Sequence, residues 1–322
     1  MQKKYLLFIL TFFLSQQDLA LAQHLEESLK GTVTSETPGK AFVVVLGTIQ
    51  DAGSPHIGCT KSCCDSVVEQ RMVVSLGIVD PVNKRTWIIE ATPDLPAQMK
   101  LLRTKALFKK SDIPDGIFIT HAHIGHYTGL MYLGKEALGS DNVPVYAMPE
   151  MSSFLESNGP WSQLVDLKNI NLIELVENKK VVLSSDVSIT PFLVPHRDEF
   201  SETVGYRIDG PEKSLLFIPD IDKWSKWETD IKEEIQKVDY ALLDATFYSG
   251  SELSNRDMSE IPHPFVVESM EKFNDLSSKD RSKIYFIHLN HTNPLLDSAS
   301  GPYRLVRKAG YNVASLSQIL KL

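Results

Sequence analysis

A chain of 322 residues with 43% hydrophobic and 23% charged side chains has ordinary globular composition, which excludes a disordered, collagen-like or coiled-coil protein. Asp and Glu outnumber Lys and Arg by 41 to 33, for a net charge of −8, whereas a sequence-independent nucleic-acid binder needs a basic surface. Three cysteines are too few to build a disulfide scaffold.

Residues 1–22 read as a secretory signal peptide. Lys3 and Lys4 precede the apolar run Tyr5 to Leu14, and Ala20 and Ala22 stand at −3 and −1 of a cleavage site before Gln23. The run falls short of the roughly 20 residues needed to cross a bilayer. An uncleaved anchor and a buried first helix are the alternatives. No cysteine follows the cleavage site to carry a lipid, and no later segment is long and apolar enough to span a membrane. The expected product is periplasmic or secreted. Residues 23–40 form a polar leading arm, and residues 41–322 form one domain.

Ala41 to Gly47 (AFVVVLG) is a buried strand running into a glycine-rich turn. Residues 71–80 and 85–92 are β-rich runs separated by Pro81-Val82-Asn83-Lys84, a hairpin signal. Residues 116–120 (GIFIT) predict a short strand, 127–138 a helix, 143–148 a strand and 150–156 a short helix. Residues 181–193 alternate like paired strands, and 202–208 with 213–218 suggest the next hairpin. Residues 222–236 have amphipathic helical spacing. A strand at 240–245, a helix at 264–273 and strands at 283–288 and 311–316 complete the pattern. Runs of strands with helices between some of them fit two sheets packed face to face under outer helices.

The chemistry concentrates in Thr120-His121-Ala122-His123-Ile124-Gly125-His126, which follows a strand and precedes a helix. Three histidines in six residues, from nine in the chain, suit a zinc-like divalent metal. Alternation puts His121 and His123 on one side of an extended turn, and His126 can face the same point. A surface histidine cluster is the bland alternative.

This segment resembles the HxHxDH signature of the metallo-β-lactamase superfamily. The superfamily's remaining ligands match in order His196 (FLVPH), Asp220 (LLFIPD) and His288 (IYFIH). The resemblance covers residues 41–316 and implies an α/β fold, the αββα sandwich of two mixed sheets with outer helices, with metals at one edge. It implies one metal on His121, His123 and His196, and a second on His126 and His288 with Asp220 bridging. Zinc is the expected ion, with manganese or iron as alternatives. Gly125 stands where the signature has aspartate, so the second site is expected to lose a carboxylate and to weaken or change its metal.

Residues 45–64 (VLGTIQDAGSPHIGCTKSCC) resemble the N-terminal segment of the pyrroloquinoline-quinone biosynthesis protein B family and of the cyclic-phosphate phosphodiesterases. Glu90-Ala-Thr-Pro-Asp94 and residues 287–295 (IHLNHTNPL) resemble segments of the quinone family. That family commonly replaces the first signature histidines and keeps the aspartate, the reverse of this chain, so its activity is not carried over. Residues 243–268 resemble a region of phosphodiesterase members in which a histidine assists the leaving group. His263 occupies that position, and a helix-start residue is its structural alternative. In the cyclic-phosphate enzymes, clustered cysteines join a histidine three residues after the last catalytic ligand. Cys59, Cys63, Cys64 and His291 would so form a structural zinc site. A disulfide from Cys59 to one neighbour, or free thiols, are the other readings.

The leading expectation is a metal-dependent hydrolase of a small phosphodiester or cyclic phosphate. Its metal lowers the pKa of bound water to about 7 and supplies hydroxide. Asp220 orients metal and water, and His263 protonates the leaving oxygen. The alternatives are lactam, lactone or thioester hydrolysis, oxidation by a redox metal on a quinone-related substrate, and non-catalytic metal binding. The expected partner is a small-molecule substrate, with no nucleic acid and no membrane after signal cleavage. His56 reads as a solvent-exposed loop residue, and Trp224 and Trp227 as packing residues of the 222–236 helix.

Overall fold

The computed structural model describes residues 39–65, 70–252 and 260–322. The signal-peptide reading and the leading arm up to residue 38 lie outside them. Among the described residues no helix is long and apolar enough to cross a membrane.

Among the described residues, fourteen strands form two seven-stranded sheets. The first holds β1 (Phe42–Gly47), β2 (Ser75–Asp80), β3 (Arg85–Ile89), β4 (Gly116–Phe118), β5 (Val143–Ala147), β6 (Ile170–Glu174) and β14 (Ile319–Lys321), in the order β14-β1-β2-β3-β4-β5-β6. The second holds β7 (Val181–Val182), β8 (Ser188–Leu193), β9 (Val204–Asp209), β10 (Ser214–Ile218), β11 (Tyr240–Asp244), β12 (Ile284–Ile287) and β13 (Asn312–Val313), in the order β13-β12-β11-β10-β9-β8-β7. Each sheet is mixed. The pairs β14-β1-β2-β3 and β7-β8-β9-β10 are antiparallel, while β3-β4-β5-β6 and β10-β11-β12-β13 are parallel.

Three apolar layers give the αββα sandwich. Val43, Val45 and Phe118 of the first sheet meet Tyr206, Phe217 and Leu242 of the second. On the first sheet's far side, Phe42, Val44 and Ile117 pack under helices Leu95–Lys105 and Pro149–Ser157. On the second sheet's far side, Leu243 and Phe286 pack under helices Ile231–Gln236, Val266–Lys272 and Gly301–Lys308. A strand covered on both faces reads as an unbroken apolar run rather than an alternation, which is the pattern of Ala41 to Gly47.

Three expected elements differ. The 222–236 helix is absent. Trp224–Lys226 is a 3-10 turn, and the helix starts at Ile231, where the Asp230 side chain accepts from the Lys232 N–H. The spacing of Ile221, Trp224, Ile231 and Ile235 serves burial, not one continuous helix. Trp224 and Trp227 do pack. Trp224 donates to Ser269, and Trp227 stacks on Phe192. The 127–138 helix is a single α-turn, Ile124–Tyr127, followed by a 3-10 turn, Thr128–Leu133, that Gly134 ends by turning extended. The last strand is only Asn312–Val313, after which the chain crosses to pair β14 with β1.

Candidate metal centre

The functional side chains sit where strands of both sheets end. Glu90 follows β3, and His121, His123 and His126 follow β4. His196 follows β8, Asp220 follows β10, Asp244 closes β11 and His288 follows β12. Two of these residues hold a left-handed backbone, Glu90 at φ 78° and His288 at φ 63°. Non-glycine residues adopt that conformation only where surrounding structure imposes it, often at functional sites.

The expected ligands come together. His121 Nε2 lies 2.9 Å from His123 Nδ1, and His196 Nε2 lies 3.3 Å from that same nitrogen. Asp220 approaches His121 Nε2 at 3.4 Å through Oδ2 and His196 Nε2 at 3.3 Å through Oδ1. Four donors bound tetrahedrally at about 2.0–2.1 Å stand about 3.3–3.4 Å apart, so three of these four spacings are those of a coordination shell, and the His121–His123 pair is closer. Asp220 Oδ2 also lies 3.8 Å from His126 Nε2, which puts the carboxylate between the two expected groups.

Each ring has its outer nitrogen tied. Thr120 Oγ1 donates to Glu90 Oε1 at 2.6 Å, so toward His121 Nδ1 at 2.8 Å the hydroxyl must accept. Thr246 Oγ1 likewise donates to Asp244 Oδ1 at 2.7 Å and accepts from His288 Nδ1 at 2.9 Å. Glu90 lies 3.0 Å from His126 Nδ1, and Asp222 lies 3.3 Å from His196 Nδ1. With Nδ1 carrying the proton, the four Nε2 atoms present lone pairs to the centre, as outer partners of metal-binding histidines do. His288 Nε2 and Asp220 Oδ1 are buried without a hydrogen-bond partner among the described residues. Orphaned acceptors in a buried cluster are costly unless a cation joins them. The residues therefore fit zinc or another divalent metal.

Without a cation the cluster is electrostatically divided. Burial pushes the His121 imidazole well below its ordinary range, helped by neighbouring His126. Burial acts the same way on His126, but Glu90 and Asp51 outweigh it and hold that ring well above the ordinary range. Burial also opposes charge on His196, yet Asp220 raises it to about 9.

His263 lies beside the centre, its ring centroid 5.5 Å from that of His196. Its Nδ1 is 2.9 Å from Asp244 Oδ2 and 3.1 Å from Asp220 Oδ1. Burial disfavours its charge, but the two carboxylates overcome that and hold the ring well above the ordinary imidazole range.

Cys59, Cys63, Cys64 and His291 form a second cluster in which every ligand atom lies within 4.8 Å of the others. The Cys63 sulfur is 4.0 Å from each of the other two, so no disulfide exists. Sulfurs bound to one zinc at about 2.3 Å stand about 3.8 Å apart. The His56 N–H donates to Cys64 Sγ at 3.2 Å, and the His56 ring lies 4.2 Å from that of His291. His56 is thus half-buried against the cysteine cluster, not a free loop residue.

Three acidic residues escaped the sequence reading. Asp51, in the turn after β1, lies 3.0 Å from His126 Nε2. Glu90 and Asp244 are fully buried behind the ligands. Glu90 and Asp244 lie in the segments 90–94 and 243–268 that carry the family resemblance, and their position at strand ends was the available signal. Asp51 carried none beyond its glycine-rich turn.

This architecture is the metallo-β-lactamase fold, with its ligand cluster at the usual sheet edge. The Beta-lactamase superfamily domain matches residues 85–289, and the chain belongs to that superfamily, whose members are typically metal-dependent hydrolases. Within it the chain is similar to Coenzyme PQQ synthesis protein B. The Methylorubrum extorquens PA1 protein is 23% identical over 305 residues, covering 84% of this chain and 97% of that protein. The Gluconobacter oxydans protein is 24% identical over 310 residues, covering 87% and 98%. The structure of Zn(2+)-bound PqqB from Methylobacterium extorquens superposes with a TM-score of 0.71 at 22% identity, covering 87% of this chain and all of that one. A diphosphatase from the PhnP family gives 0.58 at 22% identity, covering 88% and 97%.

Proposed function

We propose that the chain is an exported metal-dependent hydrolase of a small phosphodiester or cyclic phosphate. The observation that carries this reading is His263, held by Asp244 at the edge of the ligand cluster. His121, His123, His196 and Asp220 would hold one ion, and His126 and His288, with Asp220 shared, a second. Bound there, a divalent ion lowers the pKa of its water and polarises the phosphoryl group. Asp244 engages Nδ1 of His263, so Nε2 is the nitrogen that delivers a proton to the leaving oxygen. Glu90, Thr120, Thr246 and Asp222 keep the ligand tautomers fixed and ask for no reorganisation during turnover. Arg197 is exposed and directly follows His196 in the chain, so it would offer a cation beside the centre to an anionic substrate. Cys59, Cys63, Cys64 and His291 would hold a structural zinc.

The signal sequence supports a periplasmic or secreted location. Net charge −8 disfavours long anionic polymers, so a small molecule is the expected partner rather than nucleic acid. The test is hydrolysis of bis(p-nitrophenyl) phosphate by metal-loaded protein and its His263→Ala variant. Turnover that falls at least 100-fold in the variant supports the reading. Absence of turnover with zinc, manganese and iron alike refutes it. A second reading, a step in making a quinone cofactor, rests on the similarity to Coenzyme PQQ synthesis protein B over 84% of the chain. It predicts oxygen uptake by the iron-loaded protein.

A further inference from the structure

The missing signature carboxylate leads to Asp51. Gly125 sits in the single α-turn Ile124–Tyr127 with an ordinary backbone, so no left-handed φ demands glycine there. Space demands it. A Cβ at position 125 would meet Asp51 Oδ1 at 2.4 Å, Asp51 Cα at 2.5 Å and Asp51 Cβ at 2.8 Å. A backbone atom is among the three, so no side-chain rotation relieves the collision. Residue 51 thus fills the volume that a side chain at 125 would occupy.

The turn that carries Asp51 is held from both sheets. The Thr48 and Ile49 N–H groups both donate to Met72 O, and the Val74 N–H donates to Ile49 O. On the other side the Gln50 N–H donates to Leu289 O, and the Leu289 N–H donates to Thr48 O. Leu289 directly follows His288, so this ladder fixes Asp51 against that histidine. Asp51 Oδ1 lies 3.0 Å from His126 Nε2 and 3.8 Å from His288 Nε2. That last nitrogen is the buried one with no hydrogen-bond partner.

We infer that Asp51 is the carboxylate ligand of the second ion, completing it with His126, His288 and the shared Asp220. The signature's anionic ligand has moved from the helix start to the β1 turn, and Gly125 is the gap that admits it. On this inference the second site is not short of a carboxylate despite Gly125. Two imidazoles and two carboxylates suit zinc, manganese or iron alike. The inference rests on the two-ion reading of the centre.

The experiment is cadmium-113 NMR of the purified chain reconstituted with cadmium, with metal equivalents counted by mass spectrometry. Chemical shift separates an ion on sulfur from ions on nitrogen and oxygen, so the cysteine cluster does not confuse the count. The parent is expected to give two nitrogen/oxygen-ligated resonances. Asp51→Ala is expected to give one while keeping the parent's circular dichroism. Gly125→Ala is expected to lose the same resonance, because its Cβ displaces residue 51. Two such resonances in both parent and Asp51→Ala overturn the assignment and leave the two-ion reading standing. A single resonance in the parent overturns both. If Gly125→Ala does not fold, Asp51→Ala decides alone.

Discussion

Replacing Glu90 with Gln removes one charge and almost no volume, so its effect isolates what the buried carboxylate does. Glu90 Oε1 accepts from Thr120 Oγ1 at 2.6 Å and lies 3.0 Å from His126 Nδ1, while Oε2 accepts from the Thr120 N–H at 3.3 Å. Glutamine keeps only one acceptor. With its oxygen at the Oε1 position, its NH2 opposes the Thr120 N–H and leaves a buried donor unpaired, a cost of about 1–3 kcal/mol. With the amide turned over, His126 Nδ1 must accept, the proton moves to Nε2 and that nitrogen can no longer ligate. Partners of this kind typically change metal affinity about 10- to 100-fold. With an m-value of about 3 kcal/mol per M, the stability term shifts the urea midpoint of the metal-free chain down by roughly 0.3–1 M. Unfolding followed by circular dichroism measures the first effect, and competition against a chromophoric chelator measures the second. The folded-state pKa of His126 is raised, so its contribution is complete below the unfolded value near 6.5 and is lost as pH rises through the folded value. The gap between parent and Glu90→Gln should accordingly narrow at alkaline pH in the metal-free chain. A variant with the parent's midpoint and an affinity within twofold of the parent's would refute this account.

Further outcomes follow from other contacts. Cys64→Ser should lose one zinc per chain, by mass spectrometry, and melt at lower temperature while still hydrolysing bis(p-nitrophenyl) phosphate, because a closed thiolate site contributes to folding and not to chemistry. Arg197→Ala should raise KM about tenfold, equivalent to about 1.4 kcal/mol, with kcat within threefold. An unchanged KM would remove Arg197 from substrate binding. Phe118→Ala should cost about 3–5 kcal/mol in urea unfolding, since that fully buried ring stacks on Tyr146 at 4.2 Å and meets Tyr206 edge-on at 5.7 Å.

Two facing sheets were legible because doubly covered strands such as β1 leave continuous apolar runs, whereas the αββα fold and its ligand set came from the resemblance of the His121, His123 and His126 segment to the superfamily signature. Helix Leu95–Lys105 went unread although Pro96 stands in its first turn, a usual helix-start position. Strand β6 is a half-exposed edge whose weak alternation resembles a loop. The 222–236 error has a different origin. Apolar residues three and four apart mark whatever turns one side to the core, and here that is a 3-10 turn, an extended link and a short helix in succession. Asp51 was hidden for a reason no local pattern could reveal. Its role depends on His126 and His288, which lie far along the chain and meet it only in the folded protein.

The ladder through Thr48, Ile49 and Gln50 joins Met72 and Val74 on one side to Leu289 on the other. His121, His123 and His126 leave one sheet, while His196, Asp220 and His288 leave the other. An ion at this edge is thus a gauge of how the two sheets are set against each other. Neither sheet alone can bind it, so its binding energy is drawn only from the assembled sandwich. At a thousandfold excess over the dissociation constant, that linkage adds about 4 kcal/mol to global stability. A chelator should then loosen the interior between the sheets, where Val43 of one packs in the same core as Leu242 of the other.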